Sequence, residues 1–446
     1  MLVNEVLERA SSRVTPSRME YLVGRRYYGL LEKTLSACPE IRGRKGFVEL
    51  EGSFAKDTFI SGSFDLDVFV FFPKNLGRNW VLEESKGVLE RCLARLPFKV
   101  DYAQHPYLTV VLLGLEANVV PVLRVDRPGE TRLAVERTPF HTRYVKSRLT
   151  GDLKRDVRLF KSFLKGVGVY GAEVRVGGFS GYLAELIIIH YGGFLEALEA
   201  ISKWRPPVTV DMEWGISRDE LLRRFRDTPL VWVDPVDPSR NAGAAVRMES
   251  LARLVLASRR FLERPCECFF HYAARKDAPV IPDEARGAVL VYRLKLTGLP
   301  EQTVYGEVRR LESTLRGFLR GHGYRVVYTG SATDLTGTVV VVVEVDSEKP
   351  LIIADSGPEP WRKGAMNYVN KRLGEDMPVW VGWDGRLYSY KRRKHSLHQL
   401  LEEKWREYSV PPHFRNTKPL VYKSGLEPSW IRELTVDAWR RRPGWL

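Results

Sequence analysis

The sequence predicts an α+β chain of several domains: a mixed sheet carrying helices, a helical middle, and a smaller α/β region with a basic, aromatic end. Three observations predict it. Runs rich in β-branched and aromatic residues cluster before residue 125, helical periodicity dominates from 150 to about 260, and a β-α-β-β order follows from 287 to 345. The divisions fall at 1–145, 146–262 and 263–446.

The elements follow in order. Met1 to Arg9 reads as the start of an amphipathic helix. From Ser17 to about Ala37, Tyr21, Leu22, Tyr28, Leu31 and Leu35 recur at helical spacing. Phe47-Val-Glu-Leu-Glu51 is a strand, followed by the small-residue turn Gly52-Ser53. Asp65-Leu-Asp-Val-Phe-Val-Phe-Phe72 is a second strand, ended by Pro73. Residues 81–96 return to helical period, and strands are predicted at 98–103, 107–113 and 115–124, closed by the polar stretch 125–136. The helical middle is interrupted by Gly166, Gly168, Gly171 and Gly177-Gly178, and broken again by Trp232-Val-Asp-Pro-Val-Asp-Pro238. Arg264 to Glu284 reads as a loop. Strand 287–296, helix 301–322 and strands 324–329 and 338–345 then suit a sheet-on-helix module of the kind that binds RNA. The chain ends with Tyr388, Tyr390, Lys391-Arg-Arg-Lys394 and Trp439-Arg-Arg-Arg442.

With 44% hydrophobic and 28% charged residues among 446, the composition is that of a globular protein. Seventy basic against 55 acidic residues leave a formal charge of +15. Such a surplus favours polyanions, because each neutralised phosphate releases condensed counterions; a membrane surface or heparin would feel the same field. No apolar run reaches the roughly 18 residues of a membrane span, and a cytoplasmic location is expected. Four cysteines, Cys38, Cys92, Cys266 and Cys268, are too few for a disulfide framework. Cys266-Glu-Cys268 has no second pair at zinc spacing and reads as two reduced thiols.

Chemistry concentrates in Gly52-Ser53-Phe-Ala-Lys56-Asp-Thr58 and Gly62-Ser-Phe-Asp65-Leu-Asp67. Residues i and i+2 of a strand share a face, so Asp65 and Asp67 present paired carboxylates. Holding two like charges that close is costly unless a cation lies between them, and hard oxygen ligands suit Mg²⁺, which also bridges phosphates. Gly52-Ser53 at a helix start can hold a triphosphate, and Lys56, about one turn on, can reach the same anion. An Asp-x-Asp or a Gly-Ser alone means little. Joined twelve residues apart at the head of an apolar strand, they resemble the signature of the polymerase β-like nucleotidyltransferases.

The resemblance extends along the chain. Arg137-Thr-Pro-Phe-His141, Lys161-Ser-Phe-Leu-Lys165, Val169-Tyr170-Gly-Ala-Glu173, Gly178-Phe-Ser-Gly-Tyr-Leu183 and Val233-Asp-Pro-Val-Asp-Pro-Ser-Arg240-Asn241 are similar, in order, to motifs of the archaeal CCA-adding enzymes. That family implies a nucleotidyltransferase head at 1–145, a helical neck at 146–262 that completes the nucleotide site, and an RNA-binding body and tail at 263–446. It implies CTP and ATP as substrates, two Mg²⁺ ions, and tRNA gripped by its acceptor stem and T-arm, and it admits a homodimer. Asp65 and Asp67 correspond to metal ligands. Gly52, Ser53 and Lys56 correspond to triphosphate contacts, the family usually carrying arginine at the last. Thr138 and His141 correspond to residues lining the nucleotide and primer terminus, Lys161 and Tyr170 to triphosphate and sugar contacts on the helical segment, and Arg240 to the arginine that selects cytosine or adenine. The residues themselves leave plainer alternatives open: Tyr170 as a core aromatic, Lys161 on a solvated basic face with Arg158, His141 as a buried, satisfied histidine.

One position departs from the pattern. Where the family has Gly-x-Glu-x-Asp-Val-Val-Pro, this chain reads Gly114-Leu-Glu116-Ala-Asn118-Val-Val-Pro121. Asn118 thus stands at the third catalytic, metal-binding carboxylate, and a neutral amide binds Mg²⁺ poorly. Three readings compete: an engineered substitution, a homologue rescued by Glu116 on the same strand face, or a silent relative that kept tRNA binding. Another poly(A)-polymerase-like nucleotidyltransferase is the nearest alternative activity.

Overall fold

A computed structural model describes residues 3–63, 65–102, 106–131, 133–271, 278–279, 287–346, 352–392 and 396–442. Most of the predicted loop up to Glu284, and the last two residues of the run Lys391 to Lys394, lie outside the described residues. The chain divides into two compact units, Met1–Arg275 and Lys276–Gly444.

The first unit begins its sheet with β1 Phe47–Glu51 and β2 Leu66–Phe72, and adds β3 Phe98–Tyr102, β4 Pro106–Leu112 and β5 Leu115–Leu123. Their order is β1-β2-β5-β4-β3, with β2 and β5 parallel and the other pairs antiparallel. One face carries Val68, Val70, Leu108, Val110, Ala117 and Val119 into a core with Leu31 and Leu35 of the helix Arg18–Ala37. That helix is fixed at its start by a capping box: Ser17 accepts from the Glu20 backbone and the Glu20 side chain from the Ser17 backbone. The predicted 81–96 helix is two shorter ones, Gly77–Glu83 and Ser85–Cys92. Cys38 and Cys92 are bonded, tying the end of the long helix to the second of these; Cys266 and Cys268 are free.

The helices Gly151–Val167, Gly181–Tyr191, Phe194–Ile201 and Met248–Glu263 pack around Phe160, Phe163, Phe194, Phe261, Phe269 and Phe270. Val6, Leu7, Ala10 and Val14 of the first helix, Val3–Val14, join this core and not the sheet's. The helical reading of this region misses a small sheet, β6 Val208–Val210, β7 Leu230–Asp234 and β8 Asp237–Asn241. The proline-rich segment is no mere break: Leu230-Val-Trp-Val-Asp234 is wholly buried strand, and Pro235 falls in the turn to β8.

In the second unit the predicted β-α-β-β order is present as Gly287–Arg293, Glu301–Gly321, Val326–Thr333 and Thr338–Val345. Leu420–Lys423 completes this four-stranded sheet at the edge of Gly287–Arg293. Leu311, Leu315 and Leu319 of the helix cover one face, and Ile431, Ala438 and the fully buried Trp439 cover the other. A separate three-stranded sheet, Ile352–Ser356, Leu387–Arg392 and Val379–Val381, was not legible in the sequence. Among the described residues no helix is long and apolar enough to cross a membrane.

Candidate active site

Strand β1 runs straight into the short helix Gly52–Lys56. Gly52 has φ +69°, and a Cβ there would lie 1.8 Å from Asp67 Oδ2. Glycine is therefore required twice over, by the backbone angle and by the carboxylate resting on it. Asp67 is flanked in the sheet by Glu51 on β1 and Asn118 on β5. Asp65 immediately precedes β2 and is exposed. The turn leading to it is held from the long helix, where Glu20 accepts from the Gly62 N–H at 2.7 Å.

The carboxyls of Asp65 and Asp67 are both pushed above the ordinary aspartate range. Desolvation is the main cause for each; Glu116 adds to it at Asp65, while at Asp67 a hydrogen bond from Asn118 pulls the other way. Beyond Asp67 the sheet register sets Asn118, Thr109 and Lys99 in one row across β5, β4 and β3. Thr109 Oγ1 lies 3.1 Å from Asn118 Oδ1 and 2.8 Å from Asp101 Oδ2. Glu116, on the Asn118 face, is 3.4 Å from Lys99 Nζ. The Thr109 hydroxyl has one proton for its two acceptors, and the Asn118 amide donates to Asp67. Among the described residues no group of three or more His, Cys, Asp or Glu could hold a metal. The pair Asp65 and Asp67, costly to ionise together, fits a divalent cation that also takes phosphate oxygens; Asn118 beside them is neutral.

Behind the Gly-Ser turn lies a buried ionic knot. Glu185, fully buried on the helix Gly181–Tyr191, takes Lys56 Nζ at 2.6 Å on one oxygen. Its other oxygen takes Lys161 Nζ at 2.8 Å and the Thr58 hydroxyl at 2.6 Å. Burial alone would raise the Glu185 carboxyl, but Lys161 and Lys56 outweigh it and hold it at about 2. Two cations against one anion leave a net positive charge. Tyr170 stands beside this knot: a Cβ on Gly181 would meet its hydroxyl at 2.9 Å and Lys161 Nζ at 3.8 Å. Tyr170 sits in the bridge Tyr170↔Phe179 after the helix Gly151–Val167, and not on a helix as expected. Lys161 and Arg158 are buried, which excludes the solvated face.

A second knot gathers around Asp234. Asp234, fully buried at the end of β7, accepts from Arg240 at 2.6 Å and from the Tyr182 hydroxyl at 3.0 Å, and lies 2.9 Å from His141 Nε2. The His141 ring stacks on Tyr182 with centroids 3.9 Å apart. His141 is therefore buried and satisfied, its imidazole pushed below the usual range by burial against the pull of Asp234. Arg240 keeps 37% of its side chain exposed while anchored at one nitrogen. Thr138 opens the helix Thr138–Arg148 that carries His141.

The structure thus brings Gly52, Asp65 and Asp67 together at one strand end, Lys56, Lys161 and Tyr170 behind them, and His141 with Arg240 in a neighbouring cluster. Sequence reading missed the hubs of both clusters, Glu185 and Asp234, and with them Tyr182. The signal for Glu185 was present: a lone carboxylate in Leu183-Ala-Glu-Leu-Ile-Ile-Ile189 is rarely tolerated in a buried stretch unless paired. Lys165 was also missed. Its ammonium sits 5.4 Å over the Tyr170 ring and 3.2 Å from Ser63 Oγ, lowered by burial and by Lys161 and supported by Asp65.

Residues 31–141 match the family described as nucleotidyltransferase domain, and residues 155–271 match that described as tRNA nucleotidyltransferase, second domain. The five-stranded sheet and the turn at Gly52 lie within the first of these matches, and the first unit contains a nucleotidyltransferase domain. A CCA-adding enzyme of Aeropyrum pernix is 39% identical over 97% of this chain and 97% of its own. Those of Sulfurisphaera tokodaii and Saccharolobus shibatae are 37% and 34% identical over 90% and 93% of this chain, and 92% and 95% of theirs. The chain belongs to the CCA-adding enzyme family. Among solved structures, a cytoplasmic RNA terminal U-transferase covers 59% of this chain and 95% of its own, at 15% identity and a TM-score of 0.45.

Proposed function

We propose that this chain adds C, C and A in turn to the 3′ end of tRNA, taking them from CTP and ATP without a template. The observation that carries the reading is relatedness over nearly the whole of both chains to an enzyme named for that activity. The Gly52–Asp67 contact and the two lysines behind it support it. The tRNA 3′-hydroxyl attacks the α-phosphorus in line and pyrophosphate leaves. Asp65 and Asp67 would hold Mg²⁺, which neutralises triphosphate charge when bound. The chain's own part is positioning. Gly52 and Ser53 turn backbone N–H groups toward the phosphates, and the net positive knot of Lys56, Lys161 and Glu185 lies behind them, with Lys165 beside it. Arg240, oriented by Asp234, reads the base, its fixed donors meeting the acceptors of C and A but not the pattern of U or G. The second unit and the charge of +15 would hold the acceptor stem and T-arm by shape and phosphate contacts.

Incubating tRNA that lacks its 3′ trinucleotide with labelled CTP and ATP tests this. The expected product gains C, C and A and then stops; open-ended tailing with one nucleotide would overturn it. Asn118 favours a second reading, a tRNA-binding homologue of reduced activity. That reading requires tight tRNA binding with negligible incorporation.

A further inference from the structure

Strand β6 leads into a short turn, residues 211–216, that carries one half-exposed indole: Trp214 keeps 44% of its surface open. Scattered surface aromatics are ordinary and mean nothing by themselves. What sets this one apart is how firmly its segment is held. The Asp211 carboxylate accepts from the backbone N–H groups of Glu213, Trp214 and Ile216 at 3.2, 3.0 and 2.6 Å. Glu213 takes the Tyr144 hydroxyl at 2.6 Å and the Arg148 guanidinium at 2.8 Å. Those two residues follow His141 at helical spacing on the helix Thr138–Arg148, and so continue the His141 face. Ile216 packs against Leu221, Val231 and Val233. The indole itself donates from Nε1 to the Asp234 backbone oxygen at 3.0 Å. Asp234 is also the residue whose carboxylate holds Arg240. The indole nitrogen and the Arg240 guanidinium therefore lie within about 10 Å of each other, a span that one nucleobase can bridge. Among the described residues no second ring and no cation lies over Trp214, while the His141 and Tyr182 rings cover each other.

We propose that Trp214 is the face on which a nucleobase stacks while Arg240 reads the edge of that base. The proposal rests on the tailing reading and deepens it: donors in the plane of the base choose it, and the indole against its face supplies affinity that any base can use. Every base has a π-face, and a ring already fixed through its own N–H loses little freedom on stacking. Two sources supply such a base, the incoming nucleotide and the unpaired 3′ end of the RNA, and the test separates them.

Equilibrium dialysis of the full chain with Mg²⁺ and either CTP or inorganic tripolyphosphate tests it without turnover. Trp214→Ala is expected to weaken CTP at least about tenfold and to leave tripolyphosphate within about twofold. Trp214→Phe, which keeps a π-face but not the indole N–H, should hold CTP within about threefold of the unaltered chain. Trp214→Leu keeps apolar bulk without a π-face; it should follow alanine and serves if the alanine variant does not fold. Because stacking tolerates any base, UTP should weaken by the same factor as CTP in Trp214→Ala, in contrast with Arg240→Ala. The other arm is filter binding of tRNA ending in two cytidines, against the same RNA with an abasic last nucleotide. A loss in Trp214→Ala confined to the intact RNA assigns the stacked base to the RNA strand; a loss for CTP assigns it to the incoming nucleotide. Loss of CTP and tripolyphosphate alike, a phenylalanine variant as weak as alanine, or no loss for either CTP or the intact RNA overturns the proposal. Incorporation of C, C and A by the unaltered chain is measured separately, so failure of the tailing reading shows there and not in the dialysis.

Discussion

At the scale of single residues, Asn118 and Glu185 carry the most consequence. The Asn118 amide donates to Asp67, so that carboxylate has one protein partner, while burial still raises both Asp65 and Asp67. Asn118→Asp replaces that donor with a like charge and, on the proposed function, supplies a third carboxylate for the primer-side metal. It is expected to raise CTP incorporation by about a hundredfold, while melting temperature falls without Mg²⁺ and recovers with it. A small gain, together with loss of all activity in Glu116→Gln, would instead assign the role to Glu116. Glu185→Gln strands two buried lysines, which should cost about 3–5 kcal/mol in denaturant unfolding. The sign of the pH effect follows. A carboxyl held at about 2 in the folded chain contributes stability that is full above the ordinary glutamate value of 4.5 and lost as pH falls toward 2. Acid unfolding of the unaltered chain should steepen across that window, and that of Glu185→Gln should not.

At the scale of elements, the helix Gly181–Tyr191 decides how the two clusters relate. Tyr182 and Glu185 stand three residues apart, so one turn of helix serves Asp234 with the first and the lysines with the second. Asp234 orients Arg240, and Asp234→Asn should therefore blunt discrimination of CTP against UTP much as Arg240→Ala does, with pyrophosphate binding kept; discrimination surviving in both would remove Arg240 from base choice. The Cys38–Cys92 bond closes a loop of 54 residues in sequence separation. Chain-entropy reasoning values such a closure at about 4 kcal/mol, so reduction or Cys92→Ser should lower the unfolding midpoint of the first unit. This bond was not legible in four scattered cysteines, because pairing depends on two helix ends meeting in space. The five-stranded sheet was legible almost strand for strand, since alternation and aromatic runs mark each strand. The hairpin β7–β8 was not, because its prolines read as an interruption. Likewise Gly52, Asp65 and Asp67 could be found from local spacing, whereas Asp234 and Glu185 acquire their meaning only from partners many residues away.

For the whole molecule, charge is the governing quantity. With an excess of 15 basic residues, tRNA affinity should fall steeply and linearly in log–log terms as salt rises, and should be indifferent to stem sequence. Filter binding from 50 to 200 mM salt with two unrelated tRNAs measures this, and a flat salt response would place recognition in uncharged contacts. Deleting the chain's end is a poor way to find the RNA-binding surface. Leu420–Lys423 is a strand of the four-stranded sheet and Trp439 is fully buried, so truncation would dismantle the second unit. Single charge reversals are the sounder probe.

The placement of the first helix has a consequence for biosynthesis. Apart from Ile60, Val6, Leu7, Ala10 and Val14 share their buried core with segments running from residue 145 to Phe270, and Arg9 and Arg13 reach Glu267 at 3.5 and 3.7 Å. At ribosomal speeds of about 5–20 residues per second, this helix waits roughly 10–50 s for the last aromatics of its core. During that wait the intervening sheet can collapse on its own core, but the leading helix offers a bare apolar stripe to anything nearby. A helix made long before most of its core is thus among the last elements to find shelter, which makes it a natural foothold for a chaperone on the nascent chain.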